Sequence, residues 1–137
     1  MANPPKPFAT LRRLGSMTEN DDTYTLYTRG IELLESGDFA AATVSLAKVA
    51  SREPEKSSVR EALGRALFRS RRFEEAAAEF EAVVEQYPTN DFAQFCLGRA
   101  LDLSGRSEDA RRHLAIAANL RPEREDYRVY RQRLRAS

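Results

Sequence analysis

The stretches SSVREALGRALFRSRRFEEAAAEFEAVVEQYPTN (residues 57–90) and DFAQFCLGRALDLSGRSEDARRHLAIAANLRPER (residues 91–124) share one frame of 34 residues. Glycine stands at position 8 and proline at position 32 of both stretches. The frame extends back over residues 23–56, where Gly30 and Pro54 hold the same two positions. A helix-breaking signal repeated at one interval is typical of an array of supersecondary units. We therefore predict three successive units of one kind.

Three further positions repeat in the same frame and are filled by apolar residues. They are Leu33, Leu67 and Leu101 at position 11, Ala42, Ala76 and Ala110 at position 20, and Leu46, Phe80 and Leu114 at position 24. Glycine inside a helix costs about 1 kcal/mol relative to alanine, so position 8 indicates the close approach of another backbone. Proline ends each second helix, because it lacks an amide donor and clashes with the preceding turn.

The turn inside each unit differs at one residue. Gly37 and Gly105 stand at position 15 of the first and third units, whereas Arg71 stands there in the second. Glycine adopts a left-handed backbone conformation at little cost, and arginine does not. The sequence therefore predicts a strained turn, or a turn of another type, at Arg71.

These positions together resemble the tetratricopeptide repeat family. Its signature is a Leu-Gly pair, an apolar residue three positions on, then alanine, an aromatic residue or leucine, and proline. The resemblance covers about three quarters of the chain and implies an all-α fold, a right-handed superhelical array of three helix-turn-helix repeats. The repeats would be residues 23–56, 57–90 and 91–124. It also implies binding of other proteins rather than catalysis.

The two flanks differ from the repeats. Residues 1–22 are predicted to be a flexible tail, in which Phe8, Leu11, Leu14 and Met17 recur every third residue and could form an amphipathic turn on meeting a surface. The plain alternative is a disordered leader with scattered apolar residues. Residues 125–137 are predicted to form a capping helix, because arrays need a terminal element with a polar outer face. Its apolar face would carry Tyr127, Tyr130 and Leu134.

Composition sets mild bounds on function. Residues are 42% hydrophobic and 31% charged, and the net charge of +1 argues against a generally nucleic-acid-binding surface. No stretch approaches the ~18 apolar residues that span a bilayer, so we expect no membrane insertion and a cytoplasmic protein. The 22 basic residues include only three lysines, a bias that we attribute to a bacterial, actinobacterial-like genome.

Candidate chemistry is sparse. His113 is the single histidine, and its position is held by Ser45 and Glu79 in the other units, which predicts a solvent-facing site. Cys96, the single cysteine, is predicted to be a small, partly buried thiol. The sequence has no phosphate-binding loop and no metal-ligand spacing. We therefore expect no enzymatic activity, no cofactor and no small-molecule substrate.

The resemblance implies where a partner would bind. In this family the first helices of successive repeats line a concave groove, at positions 2, 5, 9, 12 and 13 of each unit. Five of these fifteen residues are Tyr or Phe, although aromatic residues make up only 9% of the chain. Large aromatic and arginine side chains dominate binding energy at protein interfaces. The candidate contacts are Tyr24, Tyr27, Ile31, Leu34, Arg65, Phe68, Arg69, Phe92, Phe95 and Arg99.

Several binding modes remain open at this stage. Family members that clamp the terminal carboxylate of chaperones have Lys and Asn where this chain has Tyr27 and Ile31, so that subclass is excluded. The main hypothesis is an adaptor whose groove captures a peptide or helix of another protein, with Arg65, Arg69 and Arg99 reading a carboxylate. The alternatives are a self-associating module, a homodimer built through the groove or the tail, and nucleic-acid binding through the arginines near the C terminus.

Overall fold

The computed structural model describes residues 22–136, with side chains as far as residue 135. Within this part the chain forms seven α-helices and no strand. They are α1 (Thr23–Ser36), α2 (Phe39–Arg52), α3 (Ser57–Arg69), α4 (Phe73–Gln86), α5 (Asp91–Leu103), α6 (Ser107–Leu120) and α7 (Glu125–Ala136). The predicted tail lies outside the described residues, apart from Asp22.

The helices form three antiparallel pairs followed by a single helix. Each helix packs mainly against its neighbours in sequence, which is typical of a repeat array in which every unit contacts only adjacent units. The predicted all-α array of helix-turn-helix units is confirmed, including a last helix at the predicted cap. Each second helix ends two residues before a proline of the frame, at Arg52, Gln86 and Leu120.

Short polar side chains begin the first helix of two units. Asp22 Oδ1 accepts a hydrogen bond from the Thr25 backbone N–H at 2.6 Å, and Asn90 Oδ1 accepts one from Ala93 N–H at 3.0 Å. Lys56 precedes α3 and makes no such side-chain bond. A capping bond of this kind stabilises a helix by about 1 kcal/mol, so α1 and α5 begin on better-defined ends than α3.

The turn inside each unit passes through the left-handed region at position 15. Gly37 has φ 92°, Gly105 has φ 88°, and Arg71 has φ 65°. Arg71 is the one non-glycine residue with positive φ among the described residues. The turn in the second unit therefore keeps the type of the other two turns and is strained at Arg71. This is the first of the two outcomes that the sequence predicted.

Replacing Arg71 with glycine should raise the free energy of unfolding by about 1 kcal/mol, because the backbone strain is relieved. Chemical denaturation of the two proteins would measure the difference. The matched control is Gly105→Ala, which introduces the same strain into the third unit and should lower stability by a similar amount. A loss of stability in Arg71→Gly would show that its contact with Phe73, with the guanidinium carbon 5.5 Å from the ring centroid, outweighs the strain.

The glycine inside each first helix makes room for a side chain of the second helix. A methyl carbon placed on Gly30 would lie 2.6 Å from Leu46 Cγ, and one placed on Gly64 would lie 2.8 Å from Phe80 Cζ. This corrects the expectation of a close backbone: the neighbour is chiefly the apolar side chain at position 24. The side chain at position 24 therefore packs into the space left by the glycine at position 8.

One polar contact joins positions 4 and 23 in every unit. Ser45 Oγ donates to the Leu26 carbonyl at 2.7 Å, Arg60 pairs with Glu79 at 2.8 Å, and His113 Nδ1 lies 2.8 Å from Gln94 Oε1. The prediction that His113 faces solvent is wrong, because its position points at the first helix of the same unit. Burial is the main cause that lowers the pKa of His113, and Arg112 lowers it further. The imidazole is a structural hydrogen-bonding group.

Position 4 also fixes the loop between units. Arg60, Gln94 and Arg128 donate to the carbonyl oxygens of Pro54, Pro88 and Pro122, at 2.8, 2.9 and 3.3 Å. Arg128 belongs to α7, so this helix enters in the register of a first helix of a fourth unit. At position 8 of that unit stands Gln132 instead of glycine.

Candidate functional site

The first helices line a cavity of about 210 Å³ between the first and third units. Its walls are Leu34 of α1, Arg65, Phe68 and Arg69 of α3, Phe80 of α4, and Phe92, Phe95, Cys96 and Arg99 of α5. A second depression continues it towards α7 and is lined by Arg99, Asp102, Leu103, Tyr130, Arg133 and Leu134. We call these two sets of residues together the groove.

The groove contains seven of the ten predicted contact residues. They are Leu34, Arg65, Phe68, Arg69, Phe92, Phe95 and Arg99. Tyr24 and Tyr27 instead line a separate pocket of about 230 Å³, with Val49 of α2 and Val59 of α3. Ile31 is partly buried against the hydrophobic core and lines neither pocket. The structure therefore divides the predicted surface into a main groove and a smaller pocket at the start of the array.

Two predicted contacts are less accessible than expected. Leu34 and Phe95 are 6% and 7% exposed, so neither is a freely accessible anchor. The Phe95 ring packs on two rings of α7, with centroid distances of 4.6 Å to Tyr127 and 5.4 Å to Tyr130. The expectation that Phe95 is an exposed recognition residue is corrected: its main contacts hold α7 against α5.

Tyr130 and Arg133 are groove residues that were not predicted from the sequence. The Arg99 guanidinium carbon lies 5.0 Å from the Phe68 ring centroid and 4.5 Å from that of Tyr130. The Arg133 guanidinium carbon lies 4.9 Å from the same Tyr130 ring centroid. Continuing the frame past residue 124 could have found this: Arg65, Arg99 and Arg133 are 34 residues apart, at position 9 of successive units.

The groove arginines have no carboxylate partner among the described residues, whereas several other arginines do. Arg72, Arg106 and Arg124 each contact a nearby acid at 2.8 to 2.9 Å. Within residues 22–135, the guanidinium groups of Arg65, Arg69, Arg99 and Arg133 form no ion pair within 4.0 Å. Aromatic rings are their neighbours instead, and Arg69 lies 4.4 Å from the Phe39 ring centroid. Their positive charge is therefore available to a ligand.

Two ionisable groups near the groove have raised pKa values. Burial is the main cause that raises the pKa of Glu61; Asp91 raises it further and Arg65 opposes both. Burial raises the pKa of the Cys96 thiol to about 12, so the thiol is not a thiolate at neutral pH.

No group of three or more His, Cys, Asp or Glu side chains suited to a metal ion occurs in the described part of the chain.

Tyr127 anchors the α7 wall of the groove. Its side chain is fully buried, and its hydroxyl donates to Asp91 Oδ2 at 2.6 Å. Burial and this hydrogen bond raise the pKa of the phenol. Arg124 covers the ring at 4.4 Å, and Arg121 lies 3.8 Å from the second oxygen of Asp91. These contacts position Tyr130 and Arg133 beside Arg99.

Family models and solved structures agree with this geometry. Two models described as tetratricopeptide repeat match residues 27–91 and 67–134, and together they span residues 27–134. The chain belongs to the tetratricopeptide repeat family. No curated protein sequence matches it.

Tetratricopeptide repeat structures from different organisms superpose on the chain. A MamA structure from Desulfovibrio magneticus RS-1 (residues 41 to end) is 27% identical, with a TM-score of 0.81, over 86% of this chain and 67% of that one. The first repeat domain of Spaghetti (RPAP3), bound to the HSP90 peptide SRMEEVD, is 16% identical, with a TM-score of 0.77, over 89% and 97%. The Arabidopsis OM64 domain is also 16% identical, with a TM-score of 0.77, over 83% and 94%.

The chain spans about two thirds of the MamA structures it matches, and the two domains at 16% identity show the fold alone. Among the helices that the structure describes, none is long and apolar enough to cross a membrane. The family therefore indicates an interaction scaffold, and the identity of its ligand depends on the residues of this groove.

Proposed function

We propose that this chain is a non-catalytic adaptor whose groove binds a peptide or helical segment of a partner protein. The observation that carries the proposal is the set of arginines without carboxylate partners beside an apolar cavity. Arginine and aromatic side chains supply much of the energy at protein interfaces, particularly around a pocket that one side chain of the partner fills.

The two parts of the groove support a peptide ligand. The cavity between α1, α3 and α5 measures about 210 Å³, and its continuation towards α7 measures about 400 Å³. The first part suits one apolar side chain of a longer segment. The arginine-lined continuation towards α7 then offers charged contacts to the rest of the segment.

The side chains of the groove support binding rather than catalysis. A hydrolytic or transfer site needs a nucleophile and a base within hydrogen-bonding reach of each other. The Cys96 thiol is protonated, and His113 is bound to Gln94 away from the cavity lining. We also propose a cytoplasmic, bacterial setting, which the single cysteine and the arginine-rich composition support.

Selection from a random peptide display library tests the proposed function. Immobilised full-length protein should enrich a family of related peptides, and Phe68→Ala combined with Arg99→Gln should weaken their binding at least tenfold, since cavity and charge are both lost. The matched control is Val44→Ala, an exposed substitution on α2 outside the groove, which should change nothing. Peptides that bind the groove variant as tightly as the wild type would contradict the proposal.

Self-association is a second candidate function, favoured by apolar side chains exposed near both ends of the array. Tyr24 on α1 is 78% exposed and Val129 on α7 is 42% exposed. Head-to-tail or symmetric pairing would cover them. Sedimentation velocity of the full chain over a hundredfold range of concentration decides between monomer and oligomer. A concentration-dependent oligomer that Tyr24→Ser or Val129→Ser abolishes would favour this candidate.

A further inference from the structure

We propose that the groove recognises an internal acidic segment of its partner, with Arg65, Arg99 and Arg133 each contacting an acidic side chain. An apolar residue of the same segment would fill the cavity beside Phe68 and Phe92. This inference rests on the proposed function and names the chemistry of the ligand.

Positive charge is concentrated in the groove. The residues lining the groove include four arginines, Arg65, Arg69, Arg99 and Arg133, and one acid, Asp102, which gives a net charge of +3. The whole chain has a net charge of only +1, so the positive charge is concentrated where a ligand would lie. A carboxylate that meets a guanidinium here forms a charge-assisted hydrogen bond without displacing an existing acid.

Aromatic rings hold the groove arginines in place. Arg99 lies between the rings of Phe68 and Tyr130, and Tyr130 in turn lies between Arg99 and Arg133. A guanidinium stacked on a ring keeps its in-plane N–H groups available for an acceptor. Because the stacking restricts side-chain rotation before the ligand arrives, less conformational entropy is lost on binding.

The groove arginines follow the repeat frame. Arg65, Arg99 and Arg133 occupy the same position on α3, α5 and α7, so successive units present one arginine each along the groove. A row of this kind matches acidic side chains distributed along a segment rather than a single terminal carboxylate. The apolar cavity favours a polypeptide over nucleic acid, since a sugar-phosphate backbone has no apolar side chain to fill it.

Fluorescence anisotropy with labelled synthetic peptides tests the inference. The probe is a twelve-residue peptide with four glutamates spaced around one leucine, and its comparison replaces every glutamate with glutamine. We expect the acidic peptide to bind full-length protein at least tenfold more tightly, with an affinity that falls as salt is raised. Amidation of its C terminus should leave the affinity unchanged, because internal side chains make the contacts.

Single substitutions then locate the contacts. Arg99→Gln and Arg133→Gln should each weaken the acidic peptide roughly fivefold to twentyfold, without affecting the glutamine peptide. Arg135→Gln is the matched control: it removes one charge from an exposed site on the same helix, outside the groove, and should change affinity less than twofold by screening alone.

Each outcome separates the inference from the proposed function. Equal binding of the acidic and glutamine peptides would overturn the acidic preference and leave a peptide-binding groove intact. Loss of binding on amidation would overturn the internal mode. An RNA oligonucleotide that binds more tightly than the acidic peptide, in an Arg99-dependent manner, would also overturn it. Failure of the display selection to yield any groove-dependent peptide would instead contradict the proposed function itself.

Discussion

Gly98→Ala should lower the free energy of unfolding by about 2–3 kcal/mol, although alanine is the better helix former by about 1 kcal/mol. The added methyl carbon would lie 2.6 Å from Leu114 Cγ, 2.8 Å from Leu114 Cδ2 and 3.2 Å from the Leu114 backbone nitrogen. Leu114 is fully buried, so its side chain has no free space to move into. Overpacking should therefore exceed the gain in helix propensity. Urea denaturation of the two proteins gives the difference.

A double-mutant cycle provides the control for this prediction. Leu114→Ala alone should cost about 2–5 kcal/mol through the cavity it leaves. Combined with Gly98→Ala, the cost should be smaller than the sum of the two single effects, because the new methyl group partly fills that cavity. Additive effects, or a Gly98→Ala variant that is more stable than the wild type, would show that positions 8 and 24 are not a packed pair.

Tyr127→Ala should have the largest effect, a loss of about 3–5 kcal/mol. It removes the largest of the fully buried side chains among the described residues, together with the hydrogen bond to Asp91 and the stacking contact with Phe95. Because α7 packs chiefly against α6 and through Tyr127 against α5, the loss should be concentrated in α7. Hydrogen exchange of the α7 amides should then rise to nearly unprotected rates.

Tyr127→Phe is the matched variant, since it keeps the ring and removes only the hydroxyl. It should cost about 1–2 kcal/mol and leave α7 protected from exchange. The alanine variant should also bind acidic peptides more weakly, because Tyr130 and Arg133 leave the groove with α7. Unchanged protection of α7 in Tyr127→Ala would contradict the role of this residue as its anchor.

The fold was predictable because its decisive signals are local and repeat. Gly64, Pro88 and their equivalents mark helix packing and helix ends within single units, so one sequence carries the information three times. The strained turn at Arg71 was predictable for the same reason. The periodicity did not predict the polar contact at position 23. Ser45, Glu79 and His113 have the same orientation, but their side chains are chemically different.

The candidate site was less predictable, because its details depend on contacts between units. Phe95 occupies a groove position, yet two tyrosines of α7 cover it. Only the packing of α7, the first helix of the fourth unit, shows this. Conversely, Arg133 is a groove residue because α7 follows the register of a repeat. A helix interpreted as a cap therefore proved also to be one wall of the groove.

The most direct test of the groove as the binding surface is amide chemical-shift mapping of the full chain during titration with a display-selected peptide. The largest changes should fall on α3, α5 and α7, around Arg65, Phe68, Arg99 and Tyr130, and should disappear in Arg99→Gln combined with Phe68→Ala. The largest changes on the second helices α2, α4 and α6, or changes that persist in that variant, would contradict binding in the groove.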